Sequence, residues 1–323
     1  MNAGLISLQS AADLLKRGQL VAFPTETVYG LGADATNAVA VARIFEAKQR
    51  PTFDPLIVHV ADTAQVELVV SHFPVTAQRL ACEFWPGPLT LVLRKRDSIP
   101  DLVTAGLPGV GIRIPRHPLA LELLKRAGCP VAAPSANPFG GISPTTARHV
   151  VDGLGKKVDG VVDGGPCAVG LESTVLSLMN ERPILLRHGG CPREDIERVI
   201  GQIDIASPDA NQDDAAQPAP GMLSRHYAPG TRLMLIEHNG LAKPIDGLRC
   251  GLLTAGKQPF RGLFSGIETL CDDLNLQTCA SKFFAAMRTL DASDLDVIIA
   301  HQFPAYGLGV ALNDRLRRAA QGQ

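Results

Sequence analysis

At 323 residues the chain is longer than one average domain, and two domains are the natural expectation. With 46% hydrophobic and 20% charged residues it can bury a sizeable core, which excludes a disordered chain. Net charge is −1, with 20 Lys/Arg against 20 Asp/Glu in residues 1–205 and 11 against 12 in 206–323, so neither part is a basic nucleic-acid domain and any anion site must be local. The seven cysteines (82, 129, 167, 191, 250, 271, 279) form no CxxC pair, which argues against a disulfide framework or a zinc knuckle and suits a reducing cytosol. The N-terminus has neither the basic start nor the apolar run of a signal peptide. No stretch approaches the roughly eighteen apolar residues of a membrane helix. The expectation is a soluble, cytoplasmic protein with no membrane association.

In chain order, Ser10 is expected to cap a helix to Arg17, with Leu14 and Leu15 on one face and Gly18 ending it. Leu20–Phe23 reads as a short buried strand closed by Pro24. Asn37 caps a second helix in which Val41, Ile44 and Phe45 recur at helical spacing. A strand at Leu56–Val60 is followed by helical material at 63–71 and 74–84. Further strands are expected at Thr90–Leu93, Val110–Ile114, Pro130–Ala133, Gly160–Val162, Ser173–Leu178 and Pro183–Arg187, with a helix at 193–201. This alternation predicts an α/β domain over residues 1–203.

Residues 204–230 are small, polar and proline-bearing, and read as an interdomain linker. Its end, Gly221-Met-Leu-Ser-Arg-His-Tyr-Ala-Pro-Gly230, carries more functional side chains than a spacer needs. Residues 231–323 form a second, smaller α/β unit with strands at 232–237, 249–253 and 296–300. Helices are expected at 275–290, burying Leu276, Cys279, Phe283, Met287 and Leu290, and at 311–320. That order suggests a small open parallel sheet.

The common nucleotide and hydrolase signatures are missing: there is no GxxxxGK[ST], complete GxGxxG, HExxH or GxSxG. Polar residues gather instead in loops at strand ends. Phe23-Pro-Thr-Glu-Thr-Val-Tyr-Gly-Leu-Gly32 offers hydroxyls and backbone N–H groups to a small polar ligand, although Thr25 and Thr27 can equally bond their own backbone. Lys48-Gln-Arg50-Pro51 places a point charge and a planar fork where a triphosphate would suit them, and where a helix C-terminus favours cations anyway. Arg113, inside an apolar strand, must meet an internal acid or a ligand carboxylate. Pro134-Ser-Ala-Asn137, Ser143, Ser173 and Arg187 add hydroxyls, an amide and a guanidinium at strand edges, and His59 sits mid-strand.

In order along the chain, Pro24-Thr-Glu-Thr-Val-Tyr-Gly-Leu-Gly, Lys-Gln-Arg-Pro, Leu-Ile-Val-His-Val, Trp85-Pro-Gly-Pro-Leu-Thr, Gly-Ile-Arg-Ile-Pro, Ala-Pro-Ser-Ala-Asn, Glu-Ser-Thr-Val and Arg-His-Gly-Gly resemble the YrdC-like domain throughout its length. Tyr306-Gly-Leu-Gly-Val-Ala-Leu-Asn-Asp-Arg-Leu-Arg-Arg-Ala-Ala resembles the extra C-terminal domain of long-form threonylcarbamoyl-AMP synthases. The resemblance implies a twisted mixed sheet with helices and a concave polar cleft, plus a smaller Rossmann-like α/β domain. It implies that L-threonine, bicarbonate and ATP give threonylcarbamoyl-AMP and pyrophosphate, for N6-threonylcarbamoyladenosine at tRNA position 37. Downstream threonylcarbamoyl-transfer proteins would make the transfer to tRNA.

Carried over by position, Thr27, His59, Arg113, Ala133 and Ser173 resemble the threonine site. Arg50, Asp54, Gly109, Ser135, Asn137, Ser143 and Arg187 resemble the ATP site, and Lys48 and Arg50 would act catalytically on the phosphates. Gly109 and Ala133 would contribute main chain. Asp54 stands where the family often has Asn, and Gly109 where Thr is common. Magnesium is expected to arrive with ATP, without a dedicated protein site. The linker end resembles a segment that folds over the cleft, with Arg225 and Tyr227 closing on the nucleotide. Two other readings compete: a double-stranded RNA or tRNA-binding module, with Arg94-Lys-Arg96 and Lys156-Lys157 offering a weak tRNA contact, and a carbamoyl-adenylate former without the acylphosphatase and zinc-finger regions of that class.

Overall fold

The computed structural model describes residues 4–206, 216–221 and 226–321. The chain forms two compact units: Met1–Phe139, Pro144–Ala168 and Glu172–Leu223 make the first, and Gly140–Ser143, Val169–Leu171 and Ser224–Gln323 the second.

In the first unit the helices are α1 (Leu8–Lys16), α2 (Ala38–Lys48), α3 (Val66–Val69), α4 (Val75–Phe84), α5 (Pro118–Ala127), α6 (Ala147–Leu154) and α7 (Arg193–Ile200). The strands are β1 (Val21–Phe23), β2 (Gly30–Asp34), β3 (Ile57–His59), β4 (Leu89–Arg94), β5 (Gly109–Arg113), β6 (Val131–Ala132), β7 (Gly160–Val161), β8 (Thr174–Ser177), β9 (Ile184–Arg187) and β10 (Asp204–Ile205). They form one mixed sheet in the order β10-β9-β8-β4-β5-β3-β6-β2-β1-β7. At its centre β5 runs parallel to β3 and antiparallel to β4.

Strand alternation separates the two faces at this centre. Val58, Leu91, Ile112 and Leu176 enter the main hydrophobic core with Leu80, Leu89 and Ile44. Ile57, Val92 and Val175 lie outside that core and form a small apolar cluster with Ala219. The same period puts His59, Thr90, Gly111, Arg113 and Ser173 on this second face, so polar side chains gather there beside a small apolar cluster. Gly111 adds no bulk to it: a Cβ there would stand 3.2 Å from Thr90 Cγ2.

Several expectations shift in detail. Ser7, not Ser10, caps α1, its hydroxyl accepting the Ser10 N–H. The end of the Phe23–Gly32 segment, expected to be loop, begins the strand Gly30–Asp34 paired with β1, because its glycines fit against Phe23 and Val131. The helices α5 and α6 had gone unread. His117 and Thr146 cap them, and neither stood out as a cap in the sequence. Residues 204 and 205, read as linker, pair with β9.

The second unit contains β11 (Arg232–Ile236), β12 (Cys250–Thr254), β13 (Gly266–Thr269), α8 (Leu276–Asp291), β14 (Val297–His301) and α9 (Leu308–Gln321). Its sheet, ordered β11-β14-β12-β13, is parallel throughout. Cys279, Phe283, Met287 and Leu290 of α8 are buried as the spacing predicts, whereas Leu276 at the first position is only half-buried.

Asn37 accepts the N–H groups of Val39 and Ala40 at the start of α2. Asn37→Ala should cost about 1 kcal/mol in urea unfolding, as loss of an N-cap does. Val39→Ala, at a 74% exposed neighbour, should leave the midpoint unchanged within error.

Candidate active site

Arg113 ends β5 with its side chain buried at 3% exposure. Its Nη1 meets Glu26 Oε1 at 3.1 Å, and its Nη2 donates to Thr27 Oγ1 at 3.0 Å. Its Nε is buried without a protein partner. Glu26 Oε2 accepts the Arg116 N–H at 2.9 Å, so both carboxylate oxygens serve the exit of β5. Thr25 Oγ1 lies 2.7 Å from Thr27 Oγ1 and donates to the Val28 carbonyl, fixing the loop between β1 and β2. His59, beside Arg113 in register, packs edge-on against Phe23 at 6.0 Å. Burial, then the Arg113 charge, holds its pKa well below the usual imidazole range, so the ring is neutral.

Ser173 completes this group from the start of β8: its Oγ lies 2.8 Å from Thr90 Oγ1 and accepts from Arg187 Nη2 at 3.2 Å. Arg187 also donates through Nε and Nη2 to the Ser173 carbonyl. The glycine pair after Arg187 permits this: a Cβ on Gly189 would fall 2.3–2.5 Å from backbone atoms of Glu172, Ser173 and Thr174. Ala133 uses its N–H on the Ile57 carbonyl, so any contact it makes to a ligand runs through its carbonyl oxygen or its methyl.

A second group surrounds the C-terminus of α2. Gln49 adopts the left-handed conformation at φ 55°, which turns Lys48 and Arg50 inward. Lys48 Nζ donates to the carbonyls of Ser135 and Asn137. Burial, then the neighbouring Arg50 charge, lowers its pKa well below the ordinary lysine value. Arg50 donates from Nε to the Asp54 carbonyl at 3.0 Å and from Nη2 to the Pro55 carbonyl at 2.7 Å, and Nη2 lies 2.9 Å from Asp54 Oδ1. Burial pushes the Asp54 carboxyl up, while Arg50, Lys48 and Arg187 pull it down. The aspartate therefore sits in a basic environment that offsets its charge.

Residues 216–221, expected to be spacer, pack on the first unit. The Gln217 N–H donates to the Phe53 carbonyl at 2.9 Å, and the Pro220 carbonyl accepts from Arg187 Nη1 at 2.8 Å. Gly109 has no room for the commoner threonine side chain, because a Cβ there would lie 2.9 Å from Val92 and 3.3 Å from Met179.

The structure thus brings Thr27, His59, Arg113 and Ser173 into one group, and Lys48, Arg50, Asp54, Ser135, Asn137 and Arg187 into a second, joined at Ser173–Arg187. Ser143 and Tyr227 belong to the second compact unit. There Tyr227 is buried, 5.8 Å from the Phe284 ring and 4.9 Å below the Arg315 guanidinium. Arg225 lies outside the described residues. Among the described residues no group of three or more His, Cys, Asp or Glu side chains is placed to hold a metal ion.

A family model described as telomere recombination, Sua5/YciO/YrdC, matches residues 13–189, and one described as threonylcarbamoyl-AMP synthase, C-terminal domain, matches 191–321. The chain belongs to the Sua5/YrdC family. Among its relatives, the threonylcarbamoyl-AMP synthase of Bacillus subtilis is 44% identical over 98% of this chain and 93% of its own length. The Pyrococcus abyssi enzyme of the same name is 42% identical over 97% and 94%. The crystal structure of P. abyssi Sua5 complexed with L-threonine superposes with a TM-score of 0.89 at 39% identity, covering 99% of this chain and 97% of that one.

In this Sua5/YrdC chain Glu26 and Thr90 also join the Arg113 group, although neither is marked out as a site residue by the sequence alone. The signal for Glu26 was present: a strand-interior arginine calls for an acid, and the nearest motif contained one. Two predictions follow from the buried groups. Arg113→Lys keeps the charge but loses the fork, and should weaken L-threonine binding by roughly tenfold or more in calorimetry. For His59 the folded pKa lies below the unfolded value, so the unfolded chain binds more protons below about pH 6.5. Stability should then fall with acidification by up to about 1.4 kcal/mol per pH unit from this group. His59→Gln should flatten that slope in urea titrations between pH 7 and 5.

Proposed function

We propose that this chain forms threonylcarbamoyl-AMP and pyrophosphate from L-threonine, bicarbonate and ATP, as a nucleotidyltransferase supplying a tRNA-modification pathway. The observation that carries this reading is the adjacency of two buried groups. An arginine fork with an unpartnered Nε lies buried at the sheet centre, and a Lys48–Arg50–Arg187 basic cluster lies one residue pair away through Ser173. The first suits an amino-acid carboxylate and the second a polyphosphate.

In this reading the Arg113 guanidinium receives the threonine carboxylate, with Thr27, Ser173 and the neutral His59 around the rest of the amino acid. Bicarbonate converts the deprotonated amine to a carbamate with loss of water, and a carbamate oxygen attacks the α-phosphorus of ATP as the bond to the leaving pyrophosphate breaks. No side chain needs to act as a covalent nucleophile. Positioning and charge neutralisation by Lys48, Arg50 and Arg187 supply the catalysis. Before they meet phosphate, Lys48 must give up carbonyl partners and Arg50 its aspartate, so both are reorganised on nucleotide binding. Ser135, Asn137 and the main chain at Gly109 serve the nucleotide side within the first unit. Magnesium enters with the triphosphate as part of the substrate. Threonylcarbamoyl-transfer proteins take the adenylate onward, in the cytoplasm. Direct contact with tRNA is confined to a weak surface interaction.

Pyrophosphate release from ATP and magnesium should require both L-threonine and bicarbonate. Release without threonine would indicate the carbamoyl-adenylate reading, and no release with folded protein would overturn the synthase reading. Arg50→Ala should cut release by at least about a hundredfold, the order expected for losing a transition-state electrostatic contact.

A further inference from the structure

The loop between β1 and β2 does more than line the threonine group: it sets which edge of Arg113 is left for a ligand, and what charge that ligand meets. Glu26 takes Nη1 and Thr27 takes Nη2, so the end of the fork is committed to protein. The remaining edge is the side formed by Nε, which is buried without a partner, and the second hydrogen of Nη2. Glu26 itself cannot swing away, since its other oxygen is held by the Arg116 N–H. The other titratable groups that sense Arg113 are uncharged. His59 is held neutral by burial. The Cys167 thiol, which feels both Glu26 and Arg113, is pushed up to about 12 by burial and stays protonated. At the Arg113 end of the group the guanidinium is therefore compensated by one carboxylate, with the next positive charge, Arg187, on the far side of Ser173.

We propose that Glu26 is a positioning and specificity residue, which aims the Nε edge of Arg113 at the substrate carboxylate and makes the pocket select a zwitterionic amino acid over a simple carboxylate anion. The inference rests on the reading that Arg113 receives the threonine carboxylate. An anion entering there gains the guanidinium but is opposed by the fixed carboxylate behind it. A zwitterion brings its own compensating ammonium and is not opposed. Without the Glu26 charge, the same pocket would be cationic and would take carboxylates with little regard to the amine.

The test is calorimetric binding to the full chain of L-threonine and of 2,3-dihydroxybutanoate, the same molecule with a hydroxyl in place of the ammonium. The unaltered protein should prefer threonine by at least tenfold. Glu26→Gln keeps the shape and an oxygen for the Arg116 N–H, and should shrink that preference by at least tenfold, threonine binding falling while the hydroxy acid holds or gains. ATP binding should not change. Glu26→Asp keeps the charge with a shorter reach, and should weaken both ligands while retaining the preference. Equal weakening of both ligands by Glu26→Gln, with an unchanged unfolding midpoint, would mean that Glu26 only supports the loop and would overturn the proposal. So would equal affinities in the unaltered protein, a result that does not depend on any variant folding. Failure of the unaltered protein to bind L-threonine at all would instead overturn the reading of the site.

Discussion

A guanidinium buried at the centre of a sheet sets the terms for everything around it. Removing such a charge from water costs several kcal/mol, and leaving one member of a buried pair alone costs about 3–5 kcal/mol. Arg113 therefore requires Glu26 and Thr27 to be where they are, and these residues come from the β1–β2 connection, beyond β3 and β6 in the sheet order. The loop that carries them is tied down in turn. The Tyr29 N–H donates to the Pro144 carbonyl, the Ala136 N–H to the Tyr29 carbonyl, and the Tyr29 hydroxyl to the Gly165 carbonyl. Placement of one charge thus connects four separate stretches of chain, and each brings part of the cleft with it.

The basic group at the end of α2 follows a different rule. Its cations are each held by protein acceptors: Lys48 on carbonyls, Arg50 on two carbonyls and in an ion pair with Asp54, Arg187 on Ser173 and Pro220. The Asp54 carboxylate oxygens are buried without a hydrogen-bond partner among the described residues. Three basic side chains are thus fixed in place by the protein's own acceptors rather than left loose at a surface. Asp54 has a physical role here. It supplies an internal counter-charge to three basic side chains and is itself kept from water by residues 216–221.

Much of this was legible in the sequence, for reasons that differ by residue. Periodicity located the strands that build the sheet centre and the helices α2, α4, α7 and α8, because their apolar faces are continuous. It missed β2, whose Gly-Leu-Gly-Ala-Asp sequence carries little strand signal and is chosen for close packing on Phe23. It also missed α5 and α6, which begin at a histidine and a threonine acting as caps. Among site residues, those with isolated charge or hydroxyl groups in apolar surroundings stood out. What the sequence left hidden was the pairing: nothing local to Lys48 reveals that its partners are the carbonyls of residues 135 and 137. Likewise, the polar, proline-bearing composition of 204–230 described solubility and concealed the packing of Ala219.

That packing has a consequence for how the chain can vary. Connections between domains are ordinarily where insertions and deletions accumulate. Here Ala219 fills the space over Ile57, Val92 and Val175, flanked by main-chain bonds from Gln217 and Pro220. A slip of one residue would present a proline in place of the alanine methyl and move the Gln217 donor off Phe53. The stretch from 217 to 221 is thus held to a fixed register like a strand, although it has no ladder, and its length is as much inherited with the catalytic sheet as the sheet's own turns.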